Sequence, residues 1–162
     1  MPKVIGIDPG LADTGVGIVA GEGFDIGAYS YGSITTDRAA PLPERLESIF
    51  SGIRDLLGRE APDLMVLEDV FSLQKFPKSG ITLGQVSGVI LLAAFRSGIP
   101  TCEVAVREAK QVLTGNGNAS KQQLESSVRN RLGHDGPIRP FHASDALGLA
   151  LIGLLRYASI NR

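Results

Sequence analysis

Apolar positions run along this chain in two rhythms. Over residues 3–36 short apolar stretches are punctuated by glycine: Val4-Ile5-Gly6-Ile7, Gly15-Val16-Gly17-Ile18-Val19, then Ile26 to Ile34. This pattern predicts three strands joined by short turns, a meander. From Pro41 the period lengthens. Leu42, Leu46, Ile49, Ile53 and Leu56 recur at helical spacing until Gly58, behind a proline suited to a first helical turn. Leu64-Met65-Val66-Leu67, after Pro62, is too short for a helix and reads as a buried strand ending at Glu68. Residues 71–80 form a loop with two Phe and two Lys, followed by a helix from Ile81 to about Ser97, closed by Gly98. A strand near Thr101–Ala105 precedes a helix at Arg107–Leu113. The pattern breaks at Gly115-Asn116-Gly117-Asn118 and resumes from Ala119 to Leu132, with Ser120 as its cap. After a Gly/Pro-rich loop, 133–140, the last helix spans about His142–Tyr157. Its Leu147, Leu151, Leu154 and Leu155 share one face and belong to a core.

A meander followed by alternating helices and strands implies an α/β fold: a mixed five-stranded sheet flanked by helices, in a single domain over 1–162 with a short tail from about 158. The first strand is expected at the centre, with the fourth beside it on the side away from the meander. Ligands gather at the carboxyl ends of strands where the order reverses, and the residues that fall there are Asp8 and Glu68.

Composition narrows the function classes. At 162 residues and 17.1 kDa, with 43% hydrophobic and 20% charged residues, the chain can bury a core, which argues against disorder. No uninterrupted apolar run approaches the ~20 residues of a membrane helix, and acids interrupt a signal-peptide reading, so no membrane role and a cytoplasmic address are expected. Cys102 is the only cysteine, which excludes an intramolecular disulfide or a cysteine-based metal cluster and reads as a small buried side chain. The net charge of −1 conceals an asymmetry: residues 1–70 carry five basic and twelve acidic side chains, residues 71–162 eleven and five. A basic half suits a phosphate-rich partner, and an acidic patch beside it suits a divalent cation; scatter over a solvated surface accounts for the counts as well.

Asp8 follows an apolar strand, and Pro9-Gly10 turns the chain away; Glu68 repeats the arrangement after the fourth strand. Carboxylates at adjacent strand ends repel, so one takes up a proton or a cation sits between them. His142 and Asp145, three apart at the start of a helix, share a face. Three carboxylates and an imidazole suit Mg²⁺ or Mn²⁺, the nitrogen tilting towards Mn²⁺. Singly, each has a plainer role: Asp145 as a first-turn acid, His142 as a capping residue, Glu68 as a solvated strand end.

These residues lie in blocks that resemble a known family. Ile5-Gly6-Ile7-Asp8-Pro9-Gly10 with Thr14-Gly15-Val16-Gly17, Leu67-Glu68-Asp69-Val70-Phe71, Leu83-Gly84-Gln85-Val86-Ser87-Gly88, Lys110-Gln111 with 115–121, and Ser144-Asp145-Ala146-Leu147 are similar, in this order, to the bacterial Holliday-junction resolvases of the RuvC family. The resemblance spans essentially the whole chain. It implies an RNase H-like fold and a homodimer that nicks a four-way DNA junction symmetrically, with two metal ions per site and ligatable 5′-phosphate and 3′-hydroxyl ends, in homologous recombination and DNA repair. By the same resemblance Asp8, Glu68 and Asp145 are catalytic metal ligands. His142 departs from the pattern, standing where many members have a fourth acid, and an imidazole there still ligates a metal. Lys110 and Lys121 match basic positions near the active site, and Phe71 matches an aromatic set against a base near the crossover. Lys75 and Lys78 are further DNA-binding candidates, with Arg107, Arg129 and Arg131 as phosphate candidates on weaker grounds. Gly84 and Gly88, four apart on one helix, fall where the family places its two-fold interface. The implied partners are the junction-binding RuvA and the branch-migration ATPase RuvB.

Three rival readings remain open on sequence. A sugar-kinase-like ATPase fragment shares the Asp-x-Gly strand turn but needs a second domain. A binding-only junction module is compatible with His142. Another RNase H-like nuclease, acting on RNA or single strands, is compatible with the chemistry.

Overall fold

The computed structural model describes residues 1–69 and 77–160. Strands β1 (Lys3–Asp8), β2 (Asp13–Glu22) and β3 (Asp25–Thr35) form the antiparallel meander, helix α1 (Leu42–Glu60) crosses over, and β4 (Leu64–Glu68) returns parallel to β1. Helix α2 (Pro77–Arg96) leads to β5 (Thr101–Val104), parallel to β4, and α3 (Val106–Thr114), α4 (Lys121–Leu132) and α5 (Phe141–Ile160) complete the chain. The sheet order is β3-β2-β1-β4-β5, with β1 central and β4 beside it on the side away from the meander, as expected.

Period-two alternation sends side chains to opposite faces of the sheet and gives it two cores. Ile5, Ile7, Val16 and Ile18 pack with Met65 and Leu67 under α1 and α2, where Ile49, Ile53, Val86 and Ile90 meet them. Val4, Val19 and Val66 face the other way, against Leu147, Leu151 and Leu154 of α5 and Leu124 and Val128 of α4. Each fully buried aliphatic side chain contributes about 1.5–3 kcal/mol, so both layers are needed to offset chain entropy.

The helix ends depart from the sequence reading in instructive ways. Helix α2 begins four residues earlier than Ile81, because Pro77 in the first turn gives up only an N–H that would have no helical partner. Helix α5 continues through Ile160, so 158–160 are helical rather than tail, and Ser159 turns its hydroxyl back to the Leu155 carbonyl. Helix α4 begins one residue after Ser120, in a full capping box: Ser120 Oγ accepts from Gln123 N–H and Gln123 Oε1 accepts from Ser120 N–H. By length and composition α2 is apolar enough to cross a membrane, a property hidden from a search for unbroken runs by its interspersed Gly, Ser and Gln. Here it is a layer of the fold, with Val86, Ile90, Ala93 and Ala94 fully buried.

Candidate active site

Strand register brings the first two acids together. Ile7 lies opposite Leu67 in the parallel β1–β4 pair, which sets Asp8 and Glu68 side by side at adjacent carboxyl ends. Alternation from Val4 through Gly6 to Asp8, and from Leu64 through Val66 to Glu68, directs both carboxyls to the face covered by α5.

Helix α5 delivers His142 and Asp145 to the same place because the sheet beneath it lacks side chains where the helix crosses. A Cβ on Gly6 would stand 2.0 Å from the Ala146 carbonyl oxygen, one on Gly15 2.1 Å from that of His142, and one on Gly17 2.4 Å from the Leu147 nitrogen. All three glycines lie on the α5 face, and α5 answers with the fully buried small residues Ala143, Ala146 and Ala150. The alternating glycines of the first two strands therefore set the depth of the helix that carries half of the site. Sequence reading took them as punctuation; their period of two opposite a helix with small residues at i, i+3 and i+7 was the available signal.

The resulting cluster is tightly coupled. Asp8 is 5% exposed, and its Oδ2 lies 2.7 Å from His142 Nδ1. That hydrogen bond raises the imidazole above its usual pKa against the opposing effect of its partial burial. Burial pushes the Glu68 carboxyl up to about 10, helped by its hydrogen-bonding contact with Asp8 and by repulsion from Asp8 and Asp145. Asp145 rises to about 6, first through burial and then through Asp8, while Lys121, His142 and Lys110 draw it down. Carboxyls raised this far above their ordinary range in a strand-end cleft mark a candidate functional site.

The four residues open into a cleft of about 720 Å³. The turn after β1, Pro9 to Asp13, lines it together with Arg107 and Lys110 of α3 and Lys121 of α4. The Gly115 joint between those helices takes a left-handed φ of 80°, which lets α4 start beside α3 and brings both lysines to the cleft.

Comparison with known proteins identifies the lineage. The family model for the crossover junction endodeoxyribonuclease RuvC matches residues 4–153. The chain belongs to the RuvC family. Among its relatives, the Brevibacillus brevis RuvC is 38% identical over 92% of this chain and 89% of its own length. The Carboxydothermus hydrogenoformans RuvC is 35% identical over 98% and 99%. Among solved structures, Thermus thermophilus RuvC in complex with Holliday junction substrate superposes with a TM-score of 0.90, at 30% identity over 98% of this chain and 96% of that one. The architecture is thus the RNase H-like fold that the sequence implied. A yeast mitochondrial Holliday junction resolvase, 12% identical with a TM-score of 0.64, shares that fold.

Seen as a RuvC-family site, the donor set fits a hard divalent cation: carboxylates dominate, and the burial and mutual repulsion that raise Glu68 and Asp145 are what a cation among them would relieve. Among the described residues no three His, Cys, Asp or Glu side chains are gathered at metal-ligand spacing, and Asp8 instead directs an oxygen to His142.

The remaining candidates divide. Arg107 is on the cleft wall, its guanidinium donating to Asn118 Oδ1 at 3.1 Å. Lys78 is exposed in the first turn of α2 and is not part of the cleft. Phe71 and Lys75 lie outside the described residues. Arg129 is turned to Glu125, 3.2 Å away, and Arg131 stacks over Phe24 at the tip of the β2–β3 hairpin, 4.4 Å from the ring centre, so neither joins the cleft. Gly84 and Gly88 are exposed, with nothing in this chain within 4 Å of an added Cβ, which excludes a close intrachain contact among the described residues as their purpose. Cys102 is half-buried beside the α5 core, and burial raises its thiol pKa. Sequence reading missed Arg38 and Asp13, both on the cleft wall.

Proposed function

We propose that this chain is a structure-specific endonuclease that resolves four-way DNA junctions by paired, symmetric, metal-dependent nicks, leaving ligatable 5′-phosphate and 3′-hydroxyl ends in recombination and repair. The observation that carries this reading is the convergence of Asp8, Glu68, Asp145 and His142 on one cleft in a RuvC-family chain.

Asp8, the most buried of the acids, would hold the Mg²⁺ or Mn²⁺ ions together with Glu68 and Asp145. Bound there, the cations supply Lewis-acid activation of water and neutralise charge on the leaving 3′ oxygen. His142 completes the donor set or takes a proton at Nδ1, the atom that now faces Asp8. Lys110 and Lys121 neutralise the scissile and flanking phosphates. Phe71 stacks on a base near the crossover, with Lys75 and Lys78 holding nearby backbone.

Two cuts on a two-fold junction call for two sites in a two-fold dimer. Helix α2 offers the surface: Ile81, Leu92 and Phe95 are exposed beside Gly84 and Gly88, and Phe95 is 82% exposed. RuvA and RuvB are the partners that would deliver the junction, in the cytoplasm. Replacing Asp8 with Asn tests the assignment: cleavage of a labelled junction is lost while binding persists, and retained nicking removes Asp8 from the catalytic role.

A further inference from the structure

The active-site cleft carries positive charge on a wall to which no role has been given. Arg38, in the turn between edge strand β3 and α1, lines the same cleft as Lys121 and as Lys110, whose helix follows the opposite edge strand, β5. We propose that Arg38 binds a phosphate of the DNA strand entering the site, so that the strand is gripped from both edges of the sheet. This rests on the junction-cutting reading above.

Three observations converge on it. The turn is tied to the loop that follows Asp8: Thr36 Oγ1 donates to the Leu11 carbonyl at 2.5 Å, Thr36 N–H donates to the Ala12 carbonyl at 3.0 Å, and Arg45 Nε donates to Thr36 Oγ1 at 2.8 Å. Arg38 therefore follows an anchored segment, and a guanidinium presented this way loses less freedom on binding a phosphate. Its neighbour Asp37 makes no ion pair with it: Asp37 Oδ1 accepts from Ala39 N–H at 2.9 Å, and the Asp37 carbonyl accepts from Ala40 N–H. Among the described residues no carboxylate lies within ion-pair reach of Arg38, unlike Arg54 and Arg59 on α1, each paired with an adjacent acid.

The charge pattern gives the arrangement its purpose. Residues 1–70 are strongly acidic, and four of their five cations are engaged: Lys3 with Glu60, Arg45 with Thr36, Arg54 with Asp55, Arg59 with Glu60. Without a cation on the meander side, a strand bound to Lys110 and Lys121 would lie against Asp13 and the acidic cluster with nothing to hold its far phosphates.

The test compares the full-length wild type with Arg38→Ala, Arg38→Lys and Arg54→Ala. Each is titrated with a labelled synthetic four-way junction in EDTA over about 50–200 mM salt, then assayed for single-turnover cleavage with Mn²⁺, after thermal melts confirm folding. Arg38→Ala is expected to bind roughly 5-fold more weakly, with a salt slope shallower by about one. Arg38→Lys should keep the slope and Arg54→Ala should match wild type. Wild-type affinity and slope in Arg38→Ala would overturn the proposal, as would an equal loss in Arg54→Ala, which would reduce the effect to net charge. A wild type that neither binds nor cuts the junction would fell the nuclease reading itself, a result distinguishable from failure at Arg38 alone.

Discussion

At the residue scale, the acidic cluster links metal binding to stability. Glu68, Asp145 and His142 all titrate higher in the folded protein than in the unfolded chain, so the folded state binds more protons over the intervening range. Stability must then fall as pH rises, through about 4 to 6 for Asp145, across 4.5 to about 10 for Glu68, and above 6.5 for His142. Metal-free protein is accordingly expected to melt at lower temperature at about pH 8 than at about pH 5.5, and added Mg²⁺ or Mn²⁺ to raise the midpoint more at the higher pH. Glu68→Gln should flatten the pH dependence, since a neutral amide stands where the protonated acid stood. A melting midpoint that climbs over this range, unchanged in slope by Glu68→Gln, would contradict the coupling. Glu125 offers a contrast outside the cleft. Its buried carboxylate accepts from Ile138 N–H at 3.0 Å, four residues before His142. Glu125→Ala, which strands that N–H, should cost about 1–3 kcal/mol in denaturant unfolding, and Glu125→Gln, which keeps an acceptor, distinctly less.

At the element scale, the seat of α5 on the sheet decides whether the site exists. Gly17→Ala places a methyl where the Leu147 backbone lies, and such overpacking costs about 1–3 kcal/mol. Because α5 must lift to admit it, cleavage should drop by more than the folded fraction explains; a variant that loses stability but keeps full specific activity would show that the helix depth does not matter. This dependence also marks the limit of what the chain discloses before folding. Strand and helix identities were legible because each carries its own period, and the central place of β1 with β4 beside it followed from a meander ahead of a crossover. Asp8 and Glu68 were legible because a strand that ends in an acid before a turn has one obvious place to put it. Gly6, Gly15 and Gly17 were not, because a glycine that permits close approach is indistinguishable in sequence from one that permits a turn until the opposing helix is known. Arg38 was passed over for a similar reason. An arginine in an acidic, turn-rich segment looks solvated until the hydrogen bonds of Thr36 fix where the turn sits.

At the scale of the whole molecule, the unequal distribution of charge becomes an arrangement in space. The acidic first half supplies Asp8 and Glu68, the basic second half supplies Lys110 and Lys121, and the crossover brings them to one cleft. The second feature at this scale is the exposed apolar face of α2. Phe95→Glu is expected to yield a folded monomer in sedimentation that nicks junction strands singly, without paired incision; a stable dimer in that variant would move the interface elsewhere. The central claim, that the cleft is a junction-resolving nuclease, is tested most directly by incubating the protein with a labelled synthetic four-way junction and with linear duplex, in EDTA, Mg²⁺ and Mn²⁺, and treating the products with ligase. Paired nicks at symmetric positions, confined to the junction, dependent on metal and sealed by ligase, are the predicted result; tight junction binding with no incision in either metal would contradict it and leave a binding module in which His142 is the first residue to exchange for an acid.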